Sequence, residues 1–296
     1  MDSRKEIKIG AYEIGEIAKT VIDPNSSRAF GIYAFSGDHP GVHLAKSVEE
    51  QVFLDTYGNT SDQLNTEYYP YLDRSIFLCV INHSLSLPVA SMRIILPSES
   101  GTGSKSLDDI SAHWGIEPVA LKIRQGEKMP LNNFWDIATL SVHRQFQGRA
   151  APGLIAISLY RAYVTASQSC GVDWTIAILD DRLFRFGNWQ FGGTWSRFED
   201  LEPKAYLGSE ASHPVWCQLS KWQQRLWAYK PDLHESIFSP GGPSPTVEEL
   251  SIDSFRKQFF SIQKHYPAEG EVINLRELEK DRNSNVEGEK KIARSF

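Results

Sequence analysis

The chain has 296 residues, 41% of them hydrophobic and 23% charged, with a formal net charge of −6. This is the balance of a soluble globular protein of one large or two small domains, and the acidic excess runs against general affinity for nucleic-acid phosphates. No apolar run approaches the ~18 residues of a membrane span, the Met1–Glu6 start lacks the apolar stretch of a signal peptide, and Cys79, Cys170 and Cys217 have no metal spacing and cannot all pair, which suits a reduced, cytoplasmic protein without a metal site.

Residues 1–28 show no clear period. Ala29–Phe35, rich in aromatic and β-branched residues, reads as a strand ending in the turn cluster Ser36–Gly41. Ser47 and Glu50 form a capping box for a helix with Val48, Val52 and Phe53 inward and Gly58 as its stop. Ile76–Ile81 and Val89–Leu96, joined by a short polar loop, read as an antiparallel hairpin. Ser98–Ser106 reads as a flexible loop without the spacing of a phosphate loop. Phe134–Val142 is a strand candidate, Gly153–Gln168 a helix apolar on almost every side, and Val172–Leu179 a strand closing on Asp180 and Asp181. The centre therefore reads β-β-loop-β-α-β, a mixed sheet with a buried crossover helix. Val215, Leu219, Trp222, Leu226 and Tyr229 lie on one helical stripe, Ser239–Pro245 is a linker, and Thr246 and Glu249 cap a further helix with Leu250, Phe255 and Phe259 inward. From Leu275 onward the chain is densely charged and reads as a solvated tail.

The segment most informative about chemistry runs from Asp136 to Gly153. A strand, a glycine turn at Gly148 and a helix start follow one another, and the first N–H groups of such a helix have no internal partner and point outward together as an anion cradle. Leu140, Val142, Gln147 and Gly148 match the L-x-V-x-P-x-x-Q/R-G-x-G-x-G turn, and on these residues the chain resembles the GNAT acyltransferase superfamily. Arg144, Ala150 and Pro152 depart from that pattern, and Pro152 removes one N–H from the cradle. The strand Pro88–Pro97, with Ala90-Ser91 before Arg93, resembles the corresponding strand of long-chain N-acyl amino acid synthases and acyl-homoserine lactone synthases, with the acidic helix segment Glu49–Asp55 upstream.

The resemblance implies an α/β (α+β) fold with a mixed, mostly antiparallel central sheet and flanking helices. It divides the chain into an N-terminal extension (1–28), a GNAT-like domain (29–210), a C-terminal helical layer (211–274) and the charged tail (275–296). It implies an N-acyltransferase with no permanently bound cofactor. An acyl-CoA or acyl-phosphopantetheine thioester would give its acyl group directly to a small-molecule amine, and an acyl carrier protein is a possible partner. Asp136 falls at the position of the general base, and the main chain near Leu140 at that of the carbonyl-polarising N–H. Val142, Gln147, Gly148, Arg149, Ala150 and Ala151 fall at the donor cradle. Arg93 is a candidate clamp for an acceptor carboxylate, while Asp180 and Asp181 can hold an ammonium group or cap a helix. The Tyr that often protonates the leaving thiolate is missing from Asp181–Asn188. Several of Trp189, Trp195, Trp216, Trp222 and Trp227 can line an acyl tunnel, and Arg144, Arg149, Arg182 and Arg185 can receive an acidic carrier. The alternatives are an autoinducer-type synthase, which needs an S-adenosylmethionine site, and a degenerate acyltransferase fold used as a scaffold.

Overall fold

The computed structural model describes residues 10–97, 103–117, 133–147, 153–239 and 246–265. Helix α1 (Ala11–Val21) and strand β1 (Phe30–Ser36) are followed by α2 (Gly41–Tyr57), α3 (Ser61–Tyr68) and the hairpin β2 (Ser75–Asn82) and β3 (Leu87–Ile95). Next come α4 (Lys105–Asp109), β4 (Phe134–Val142), α5 (Leu154–Ser169), β5 (Trp174–Asp180) and α6 (Asp181–Gln190). The short strands β6 (Ser196–Arg197) and β7 (Lys204–Tyr206) precede β8 (Ser209–Gln218), α7 (Leu219–Tyr229), α8 (Pro231–Phe238), β9 (Val247–Glu248) and α9 (Ile252–His265).

The strands form one sheet in the order β6-β8-β5-β4-β3-β2-β1-β9, with β7 also on β8. Among the described strands only β4 with β5 and β1 with β9 pair in parallel, so the sheet is mixed and mostly antiparallel, as the resemblance implies. Alternate residues of each strand serve opposite faces. Ile76, Leu78, Val80, Met92, Ile94 and Trp135 lie in the core shared with α5 and α9. There Trp135 meets Tyr163, Phe255 and Phe259 with ring centroids 5.5–6.1 Å apart. Phe77, Cys79 and Ile81 pack in the opposite direction, on Ile14 and Ala18 of α1 and Leu44 and Ala45 of α2.

The hairpin, β4, α5 and β5 match the expected elements to within two residues. Gly58 and Gly171 end their helices at φ 75° and 69°, a conformation costly for side chains with a Cβ. Four expectations are corrected. The second helix begins at Gly41, because Pro40 sets the entry and Val42, Leu44 and Ala45 bury against the sheet; Ser47 is an interior residue whose hydroxyl donates to the Leu44 carbonyl at 2.8 Å. Part of the expected flexible loop is ordered: Ser104 caps α4 by accepting from the Leu107 N–H, and Ser104, Lys105 and Ser106 are buried; residues 98–102 lie outside the described residues. Val215 belongs to β8, where it pairs with Ala177, so the helical stripe starts at Leu219. The Thr246 capping box is replaced by strand pairing of Val247 and Glu248 with β1; the last helix instead starts at Ile252, with Ser251 Oγ accepting from the Ser254 N–H. The region without sequence periodicity also holds a helix, α1, with Ile14 and Ala18 buried. Among the described residues no helix is long and apolar enough to cross a membrane.

Candidate active site

Strands β4 and β5 pair over three residues, Phe134 with Trp174, Trp135 with Thr175 and Asp136 with Ile176. Directly beyond, the register of β4 on β3 slips: Ile94 faces Ile137 but Arg93 faces Thr139, leaving Ala138 as an extra residue. A bulge of this kind bends its strand and adds twist. Here it accompanies the end of pairing with β5, and the sheet opens into two arms. The His143 N–H donates to the Val89 carbonyl on β3 at 2.8 Å, so alternation turns the main-chain groups of Leu140 and Val142 away from β3 and toward the split. The Val142 carbonyl accepts from Gln147 Nε2 at 2.6 Å. No described strand pairs with Leu140 on the split side.

Three helices anchor the residues around the bulge. From α4, the Ser104 hydroxyl and the Ser106 N–H donate to Asp136 Oδ2 at 2.7 and 2.8 Å, and the Ser106 hydroxyl donates to Oδ1 at 2.7 Å. From α3, the Tyr68 hydroxyl donates to the Ala138 carbonyl at 3.3 Å. From α2, Glu49 accepts from the Thr139 hydroxyl and takes Arg93 through Nε at 3.3 Å and Nη2 at 2.5 Å. Two cations lie over the Tyr68 ring, with Arg93 Cζ 4.3 Å and Lys105 Nζ 5.1 Å from its centroid. Lys105 is in turn paired with Glu67 at 2.9 Å and Asp109 at 2.7 Å, and Asp109 also receives the Tyr206 hydroxyl. Glu49, Tyr68, Arg93, Lys105, Asp136 and Thr139 are all buried.

Burial sets the protonation of this cluster. It pushes Asp136 up to about 6, against the hydrogen bonds from Ser106 and Ser104 that favour the carboxylate. Burial also raises the Tyr68 phenol far above its ordinary range, with Arg93 opposing, so the hydroxyl keeps its proton. On the other arm, burial pulls Asp180 upward, but hydrogen bonds from Ser209 and Arg182 hold it below the usual carboxylate value. The His213 hydrogen bond, helped by Arg185, holds Asp181 low.

The structure brings Arg93, Asp136, Leu140 and Val142 together on β3 and β4, with Gln147 just beyond and Asp180 and Asp181 at the carboxyl end of β5. Gly148, Arg149, Ala150 and Ala151, and with them Pro152, lie outside the described residues. Asp180 caps α6 by accepting from the Arg182 N–H at 3.0 Å, and its other oxygen receives the Ser209 hydroxyl at 2.6 Å. Trp195 and Trp222 are buried in the core beneath α5, while Trp189 and Trp227 are exposed at 71% and 70%. Sequence reading noticed Glu49 only as part of an acidic helix segment and passed over Tyr68, Thr139, Ser104 and Ser106. Nothing in their local spacing marks them: Thr139 is one more residue of β4, and the others reach β4 from α3 and α4.

No protein-family model and no curated protein matches the chain. Among solved structures it is similar to FeeM, an N-acyl amino acid synthase from uncultured soil microbes, at 13% identity and TM-score 0.45 over 67% of this chain and 96% of that one. It is also similar to BjaI, a CoA-dependent acyl-homoserine lactone synthase, at 17% identity and TM-score 0.44 over 77% and 98% of the two chains. The likeness to the acyl-homoserine lactone synthase LasI has 13% identity and TM-score 0.45 over 69% and 96%.

Proposed function

We propose that the chain is an N-acyltransferase that moves an acyl group from a thioester, acyl-CoA or acyl carrier protein, to the amine of a small molecule by direct attack. The observation that carries this reading is the split between β4 and β5, with the main chain of Leu140 turned into it. A thioester lying in the split would meet the Leu140 N–H at its carbonyl, and a donor of preorganised direction is worth most where charge develops in the transition state. Gln147 with Gly148, Arg149, Ala150 and Ala151 would hold the phosphate end of the donor.

Asp136 is the proposed base. With its carboxyl near 6 it is mostly ionised at neutral pH, and Ser104, whose hydroxyl it already holds at 2.7 Å, offers the route by which a proton would reach it. Asp180 and Asp181 are the proposed anchors for a cationic acceptor. Arg93 has two of its donors on Glu49, so a carboxylate clamp there would have to share the guanidinium with that partner. The exposed guanidinium groups of Arg182 and Arg185, with Arg144 and Arg149, are the proposed landing points for an acidic carrier protein.

Thermal stabilisation by CoA or acyl thioesters, followed by thiol release with a panel of amines, tests the reading. Stabilisation by a thioester together with amine-dependent thiol release is expected. No shift with any thioester and no thiol release with any amine would leave the fold as a scaffold.

A further inference from the structure

The Ala138 bulge has a consequence for direction as well as for opening. Were β4 to continue past Ile137 in regular register, with no bulge, alternation would turn Thr139 into the split and Leu140 toward β3. The bulge therefore decides which main-chain N–H meets the split. A bulge leaves the extra residue outside the regular ladder, and a buried main-chain carbonyl without a partner is costly. Here the half-buried Ala138 carbonyl accepts from a side chain, the Tyr68 hydroxyl, reaching from α3.

Tyr68 is itself held firmly. It is 4% exposed, Arg93 and Lys105 lie over its ring, and α3 starts with a capping box in which Thr60 and Gln63 bond each other's backbone N–H. Its hydroxyl keeps its proton and so stays a donor. The residues on either side of Ala138 are anchored by other helices, Asp136 by α4 and Thr139 by α2. Ala138 has an apolar methyl as its side chain, so its carbonyl is the handle by which a helix can hold it.

We propose that Tyr68 is a positioning residue: by holding the Ala138 carbonyl it fixes the bulge in β4 and keeps the Leu140 N–H aimed into the split. The inference concerns the main chain, and its kinetic consequence rests on the acyl-transfer reading above.

The test compares Tyr68→Phe with Tyr71→Phe in the full chain. Tyr71 is a neighbouring phenol that donates to Asp108 at 2.8 Å, away from the bulge. Amide hydrogen exchange is read first, because it needs no activity. Tyr68→Phe is expected to raise exchange selectively at residues 138–140, and Tyr71→Phe is not. Exchange at 138–140 unchanged in Tyr68→Phe, or raised equally by both variants, overturns the proposal. With a thioester and amine that the wild type turns over, Tyr68→Phe is expected to lower kcat about tenfold or more with little change in the donor KM, since a misaimed donor loses most of its transition-state value. A wild-type kcat in Tyr68→Phe overturns the positioning role while leaving acyl transfer intact. A wild type inactive with every thioester overturns the acyl-transfer reading and leaves the exchange result to decide the role of Tyr68 on its own.

Discussion

The two faces of the sheet are built from the same strands, residue by alternate residue; both carry an apolar cluster, and the face under α2, α3 and α4 adds a polar patch on β3 and β4. Under α5 and α9 the contacts are aliphatic and aromatic, with Trp135, Tyr163, Phe255 and Phe259 at the centre. Under α2, α3 and α4 the same strands present Arg93, Asp136 and Thr139, and the helices answer with Glu49, Tyr68, Ser104 and Ser106. Apolar burial is non-directional and scales with area, so the first face can stabilise the fold without fixing any one atom. Hydrogen bonds and a bidentate ion pair have direction, and their net contribution after desolvation is small. The second face is thus suited to holding a local geometry, and the geometry it holds is the bulge where β4 leaves β5.

Substitutions test this contrast. The largest effects belong to single truncations on either face. Trp135→Ala should cost ~3–5 kcal/mol in urea unfolding through the cavity it leaves. Glu49→Ala should cost a similar ~3–5 kcal/mol, because Arg93 would stay buried without its partner. The faces should then part company: replacing the pair together, Glu49→Leu with Arg93→Met, should recover most of the loss. If the double variant is as unstable as Glu49→Ala, the polar face is a source of stability and the contrast fails.

Asp136 gives an intermediate effect with a pH signature. Its carboxyl is raised in the folded protein, so its contribution is fully present below pH 4 and is lost as pH rises through about 6. Asp136→Asn should therefore cost ~1–3 kcal/mol near pH 4 for the acceptor it removes, and less above pH 7. Melting temperatures of both proteins from pH 4 to 7.5 check this, and parallel curves would show that the group does not titrate there. The smallest effect is expected at the surface. Arg185→Ala removes a 77% exposed side chain from Asp181 and should leave the urea midpoint unchanged. A clear drop would mean that the end of β5 depends on this pair.

Legibility in the sequence followed the range of the interaction. β4 is readable to the residue because its apolar content is local, and α5 because its apolar residues cover nearly every side. Val215 was misread because a 3.6-residue stripe continues by chance across the β8–α7 junction, and only pairing with β5 separates them. The start of α2 was misread because Ser47 and Glu50 make a good capping box in sequence, while burial of Val42, Leu44 and Ala45 extends the helix upstream of it. At the site, Asp136, Leu140 and Arg93 could be singled out from a motif. Their partners could not, because Glu49 is 44 residues from Arg93 and 90 from Thr139.

Local sequence accounts for the alternation that makes a two-faced sheet and for the crossover helix after β4. Each follows from side-chain size, polarity and backbone freedom over a few neighbours. The tertiary structure decided that β4 carries an extra residue at Ala138, that it parts from β5 there, and that three helices hold the place. A register slip has no local signature. It exists only in the pairing of Arg93 with Thr139, and it persists because groups distant in sequence satisfy the main chain it disturbs.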